Sequence, residues 1–306
     1  MSDFFADLKS ILSLSALKRV GHKVLEDDCL GLAGQLAYFF LFSLFPFLMF
    51  LVALVGIVIS EPESLLRTLA ESMRAFLPAD TLEILVDYID RTLEGATSSV
   101  LFFGILAAFW SGWAAADALI KATNRAYELR ESRPLWKLAG LSILMVLGFA
   151  LLVAALAIVI AGPGLGGYVL KLTGLPESFL ASWGVLRWVL AFLAVTFALD
   201  ILYYLAPNAD LPFKWVTPGG VVATLLMGIA SEGLGLYVSN FGHYSQIYGQ
   251  LGAVMVLMLW LYYAGLVVLV GAEINAVLAR MAEEQKGIEL VRQENSAKDQ
   301  SLKKRE

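Results

Sequence analysis

Three carboxylates stand where long apolar runs give out. Asp117 follows an uncharged run from Thr97 to Ala116, Asp200 sits in the last third of a run that begins near Trp183, and Glu273 closes a run with no charge from Leu251 to Val270. Ionisable groups inside a membrane span are costly, so an acid in such a place is either a solvated helix end or part of a site for binding or proton movement. Lys121 and Arg125 are possible charge partners, and Asn124 and Asn275 are near at hand. Asp117, Asn124, Arg125, Asp200, Glu273 and Asn275 are therefore a candidate intramembrane polar site. The alternative is a set of helix-end acids paired with loop cations.

Glu232 is the isolated acid. It lies within an apolar stretch, and the polar residues downstream of it are Ser239, Asn240, His243, Tyr244, Gln246 and Tyr248. A buried carboxylate with no cation beside it favours its protonated form, which suits proton coupling or capture of a cationic head group. Glu232, Asn240, His243 and Tyr248 form a candidate outer-side site, with a neutral acid bonded to a neighbouring helix as the alternative. Pro46, midway along another apolar run, removes a backbone hydrogen bond and predicts a kink, the candidate hinge, with Ser43 close enough to help satisfy the freed groups.

Catalytic constellations are poor. The chain has no HExxH, no GxSxG and no Walker motif, so metalloprotease, hydrolase and ATPase chemistry have no basis in it. His22 and His243 are far apart and Cys29 is the sole cysteine, which leaves no structural zinc set, no intrachain disulfide and no cofactor to expect. The segment AGPGLGG, Ala161 to Gly167, belongs to no strand–helix unit and reads as a helix stop. A net charge of −5 and a pI near 5.2 do not suggest a nucleic-acid partner.

The elements that must position these residues are membrane helices. Of the 306 residues 59% are hydrophobic and 16% charged, with a mean hydropathy of +0.74. The apolar runs are long and unbroken, which excludes a β-barrel and predicts an all-α, polytopic membrane protein. Six spans are expected, at about 36–59, 97–119, 138–161, 183–205, 215–239 and 251–279, within a transmembrane domain covering 31–280. Residues 1–30 predict an amphipathic helix in the interface or packed on the protein itself. Residues 61–96 predict an acidic extracytoplasmic helix pair broken at Pro78, and 281–306 a polar tail that extends the last helix and frays into disorder. No cleavable signal peptide is visible before the first span. Small residues four apart, Gly104, Ala108, Gly112 and Ala116, predict close helix packing. Of the 22 Lys and Arg residues, all but Arg67, Arg74, Arg91, Lys171 and Arg187 fall on one side of this arrangement, which predicts cytoplasmic N and C termini.

With these residues in view, the chain resembles the YihY family, also called virulence factor BrkB, of bacterial inner-membrane proteins. The resemblance rests on LAYFFLFSLFPFL (Leu36 to Leu48), Trp110-Ser111, NRAYELRESR (Asn124 to Arg133), Pro207-Asn208, Pro218-Gly219, and YGQLGA, WLYYAG and GAEINA between Tyr248 and Ala276. It implies a six-helix integral protein of the bacterial cytoplasmic membrane. Members were once labelled ribonuclease BN, a tRNA-processing enzyme, a label widely regarded as mistaken. Others have been associated with serum resistance and with movement of lipid or lipopolysaccharide precursors.

The leading expectation is a transporter or flippase-like protein for an amphiphilic envelope component, in contact with membrane lipids. The alternative is a non-transporting scaffold that holds envelope-biogenesis proteins, and the last is the ribonuclease.

Overall fold

The computed structural model describes residues 13–58, 86–87, 98–173, 178–209, 215–240 and 250–303. The principal elements are α1 (Leu14–Glu26), α2 (Cys29–Val58), α3 (Ser98–Ala126), α4 (Leu135–Thr173), α5 (Ser178–Leu205), α6 (Pro218–Asn240) and α7 (Gln250–Lys303). Among the described residues all regular structure is helical. An apolar chain in lipid must satisfy its backbone polar groups internally, and the helix does this within a single segment.

Four stretches are long and apolar enough to cross a membrane: Leu135–Leu156, Val185–Leu205, Pro218–Tyr237 and Val254–Glu284. The shorter apolar stretch Cys29–Leu44 lies in α2. The helices pack in a closed circuit, α2 on α3, α3 on α4, α4 on α5, α5 on α6, α6 on α7, and α7 back on α2. α7 also reaches α3 and α5, and α1 lies against α7 and α2.

Among the described residues the core sits at one end of this circuit, called here the basal end. It gathers the starts of α2, α4 and α6, the ends of α3 and α5, and the stretch Leu261 to Leu278 of α7. Away from that end, only Ala150, Leu234 and Gly252 are buried among the described residues. Small residues allow the close packing, as expected for helices that meet in lipid. A Cβ on Gly112 would come closer than 3.0 Å to Val146 of α4, and one on Gly271 would strike Tyr203 Oη, Ala223 and the Gly219 carbonyl. Three residues farther along α6, Gly228, Gly233 and Gly235, have nothing within 4 Å of such a Cβ.

One boundary differs from expectation. α4 runs through Ala161–Gly167 to Thr173, so the glycine-proline segment does not stop it. An apolar environment offers freed backbone groups no water, and the helix is retained. α7 continues to Lys303, through the tail expected to extend the last helix. Pro46 lies inside an unbroken α2, and Ser43 Oγ donates to the Phe40 carbonyl at 3.0 Å rather than to that of Phe42, whose bond Pro46 removes. α1 turns its Ala16 face toward α7 and leaves Leu14, Leu17 and Leu25 exposed, so it is packed on one face and open to an interface on the other. The expected helix pair at 61–96, apart from the two helical residues Val86 and Asp87, lies outside the described residues, as do residues 1–12.

Candidate functional site

The start of α6 reads Thr217-Pro218-Gly219-Gly220, a capping residue, a proline in the first helical position and two residues without side chains. Thr217 Oγ1 caps the helix by accepting from Gly220 N at 3.1 Å. The same hydroxyl donates to Asp200 Oδ1 at 2.5 Å and accepts from Asn275 Nδ2 at 2.9 Å. Asp200 Oδ2 accepts from Thr217 N at 3.2 Å, and Asn275 Oδ1 accepts from Gly219 N at 2.9 Å. One helix N-terminus is thus met by an acid from α5 and an amide from α7. The carboxylate also complements the positive end of the α6 dipole. The glycines are required here: a Cβ on Gly219 would strike the Gly271 carbonyl and Asn275, and one on Gly220 would strike Asp200. Tyr203, one turn beyond Asp200, donates to the Val268 carbonyl at 2.8 Å and ties α5 to α7.

A second knot joins the end of α3 to the end of α5. Asn124 Nδ2 donates to Glu131 Oε2 at 2.8 Å, and Asn124 Oδ1 accepts from Asn208 N at 2.6 Å. Arg133 forks onto Glu131 and donates to the Leu205 and Ala206 carbonyls at 3.2 and 2.8 Å, closing the open C-terminus of α5. Asn208 Nδ2 donates to the Arg130 carbonyl and to Ser132 Oγ. The hydrogen bonds from Arg133 hold the Glu131 carboxyl down at about 2.

Glu273 lies elsewhere. It is 1% exposed, its Oε1 accepts from the Cys29 thiol at 3.7 Å, and its Oε2 is buried without a partner. Asp27, which ends α1, likewise has Oδ2 buried without a hydrogen bond. Its nearest cations are Arg125 Nε at 3.9 Å and Lys23 Nζ at 4.0 Å. Beyond this pair, Lys23 and Arg280 both hold Glu128, Arg280 at 2.9 Å, and Arg280 also donates to the Ala126 carbonyl at 3.0 Å. Glu128 keeps a left-handed backbone, φ 56, that glycine would adopt more readily. Its carboxyl lies below the ordinary range and the Lys23 amine above it, each chiefly because of their shared hydrogen bond. Burial, aided by the charge of Glu273, keeps the Tyr127 hydroxyl well above the usual phenol range.

The six residues of the intramembrane candidate therefore divide. Asp200 and Asn275 meet at Thr217, Asn124 belongs to the Glu131–Arg133 knot, Arg125 approaches Asp27, and Glu273 meets Cys29. Asp117 pairs locally with Lys121 at 2.5 Å, one turn along α3. Of the outer set, Glu232 is exposed rather than buried, because α6 has left the packed end by that point. Asn240 ends α6, while His243 and Tyr248 lie outside the described residues. Sequence reasoning missed Thr217, although its position before Pro218 is a capping signal. It also missed Asp27, Cys29, Arg133 and Asn208 as contributors. Among the described residues, no three His, Cys, Asp or Glu side chains are placed to hold a metal ion.

The residues that build these knots are those of NRAYELRESR, Pro207-Asn208, Pro218-Gly219 and GAEINA, and residues 20–295 match the family described as virulence factor BrkB. The chain belongs to the BrkB family. It is 32% identical over 267 residues to the ribonuclease-like protein YfkH of Bacillus subtilis, covering 87% of this chain and 95% of that one. It is 30% identical to a UPF0761 membrane protein of Alkalilimnicola ehrlichii, over 85% of this chain and 57% of the relative. A UPF0761 membrane protein of Pseudoalteromonas translucida is 28% identical over 90% of each chain. No solved structure matches. The BrkB-family chain is a membrane protein with several apolar helices.

Proposed function

We propose that this BrkB-family protein is a bacterial inner-membrane transporter or flippase-like protein for a lipid or other amphiphilic envelope component, not an enzyme. In this reading it crosses the membrane six times, both termini are cytoplasmic, and the basal end faces the cytoplasm. The observation that carries the reading is one-sided packing. Among the described residues the core and nearly every polar link between helices lie at the basal end, while farther along α5 and α6 Val185, Leu186, Trp188, Val189 and Glu232 are exposed. A bundle whose described core closes one end suits one state of an alternating-access cycle. Charge supports the orientation: Lys18, Arg19, Lys23, Lys121, Arg125, Arg130, Arg133, Lys137 and Arg280 sit at the basal end, while Lys171 and Arg187 lie toward the other. Trp136 and Trp215, both exposed there, have the amphipathic character of interface anchors.

Reconstitution into liposomes with labelled lipid tests this. Transfer above that of empty vesicles, with or without a proton gradient, is expected; transfer equal to empty vesicles under both conditions sinks the reading. One observation favours a non-transporting scaffold for envelope-biogenesis proteins: the Asp200–Thr217–Asn275 bonds are all satisfied, as in a static joint. A stable envelope complex that survives Glu273→Gln, with no lipid transfer, would select the scaffold.

A further inference from the structure

Two carboxylate oxygens from different elements are buried at the basal end without hydrogen-bond partners, Glu273 Oε2 on α7 and Asp27 Oδ2 at the end of α1. Buried polar atoms are almost always paired, so two orphans within electrostatic reach of one another ask what is missing. Asp27 is partly compensated by Arg125 and Lys23 at 3.9 and 4.0 Å. Glu273 has only the Cys29 thiol, a weak donor. The groups around Glu273 are Lys23 from α1, Asp27, Cys29 from α2, Arg125 and Tyr127 at the end of α3, and Arg280 on α7 itself. None of the cations makes an ion pair with Glu273.

Two unmet carboxylate oxygens in one buried place suit a small positive charge. A hard metal ion would want about six oxygens around it, and no group of three His, Cys, Asp or Glu is placed to hold a metal among the described residues. A proton needs one acceptor and one neighbour. It converts Oε2 from an unmet acceptor into a donor, next to Cys29 and within electrostatic reach of Asp27, two residues before that cysteine.

We propose that Asp27 and Glu273 form a proton-binding site, in which one proton from water bonds to Oε2 of Glu273. Uptake lowers the negative charge of the pair by one and forms one O–H bond, with no other reactant. The proposal goes beyond the transport reading and holds whether or not any substrate moves.

Infrared difference spectroscopy of the full-length protein in lipid nanodiscs, titrated with acid and base at fixed sodium and then with sodium at fixed pH, tests it. A protonated-carboxyl C=O band that disappears on alkalinisation, is absent in Glu273→Gln and shifts in midpoint in Asp27→Asn is expected. The same band persisting in Glu273→Gln, or a signal that follows sodium and not pH, overturns it. Should Glu273→Gln not fold, Asp27→Asn decides: an unmoved midpoint overturns the pairing, and a moved one supports it.

Discussion

Asp200 and Glu273 are both fully buried carboxylates at the same end of one bundle, and they are treated in opposite ways. Asp200 accepts from Thr217 twice and lies at a helix N-terminus, so its two oxygens are occupied by donors that are themselves part of the fold. Glu273 has one weak thiol contact and one empty oxygen. Burial alone therefore does not distinguish a structural acid from a reactive one. The partners do. A carboxylate surrounded by fixed donors is a joint, whereas one left with unmet capacity can change its charge state.

The sharpest way to break this contrast is to neutralise each acid in turn. Asp200→Asn turns an amide NH2 toward the Thr217 donors, and a buried group left unmet costs about 1–3 kcal/mol. A clear fall in the thermal unfolding midpoint in detergent is expected, and an unchanged midpoint would mean the joint does not hold the bundle. Gly271→Ala probes the same joint through its packing. The new methyl meets Tyr203 Oη, Ala223 and the Gly219 carbonyl closer than 3.0 Å, and overpacking of this kind costs about 1–3 kcal/mol. Loss of the α6–α7 contact should appear as faster amide exchange near Gly219.

A smaller effect depends on pH. Glu131 titrates at about 2 in the folded protein against an ordinary 4.5, chiefly through the Arg133 hydrogen bond. Its contribution is therefore complete above pH 4.5 and is lost as the pH falls through about 2. Wild type should exceed Glu131→Gln in thermal stability at neutral pH, and the two curves should converge on acidification across that window. A constant gap would show that the carboxylate charge is not what holds α3 to α5. The smallest change in stability is expected at Glu273→Gln, which gives up only the weak Cys29 thiol contact and keeps the shape of the protonated acid; the midpoint should stay or rise. A fall as large as that of Asp200→Asn would erase the difference between the two acids.

Much of this was legible before any fold was known. The apolar runs marked the helices, and Asp117 with Lys121 four residues on is a same-face pair that spacing alone implies. Thr217-Pro218 was a readable cap that went unread. Cys29 and Asp27 had no signal at all, because what matters is that the turn at Asp28, φ 54, brings them under α7. Glu232 was read as buried because hydropathy reports that a segment is apolar, and not whether its helix is packed at that depth.

By itself the sequence determined that the chain is helical, where its apolar helices lie, and that Asp117, Asp200 and Glu273 stand where apolar runs give out. These follow from local composition, since hydropathy, caps and charge act within a segment. Which acid became a joint and which stayed unmet was decided only in the tertiary structure. Helices that are apolar all round do not fix their own rotation, so the neighbours of Asp200 and Glu273 were set by the contacts at Gly219, Gly220, Gly265 and Gly271.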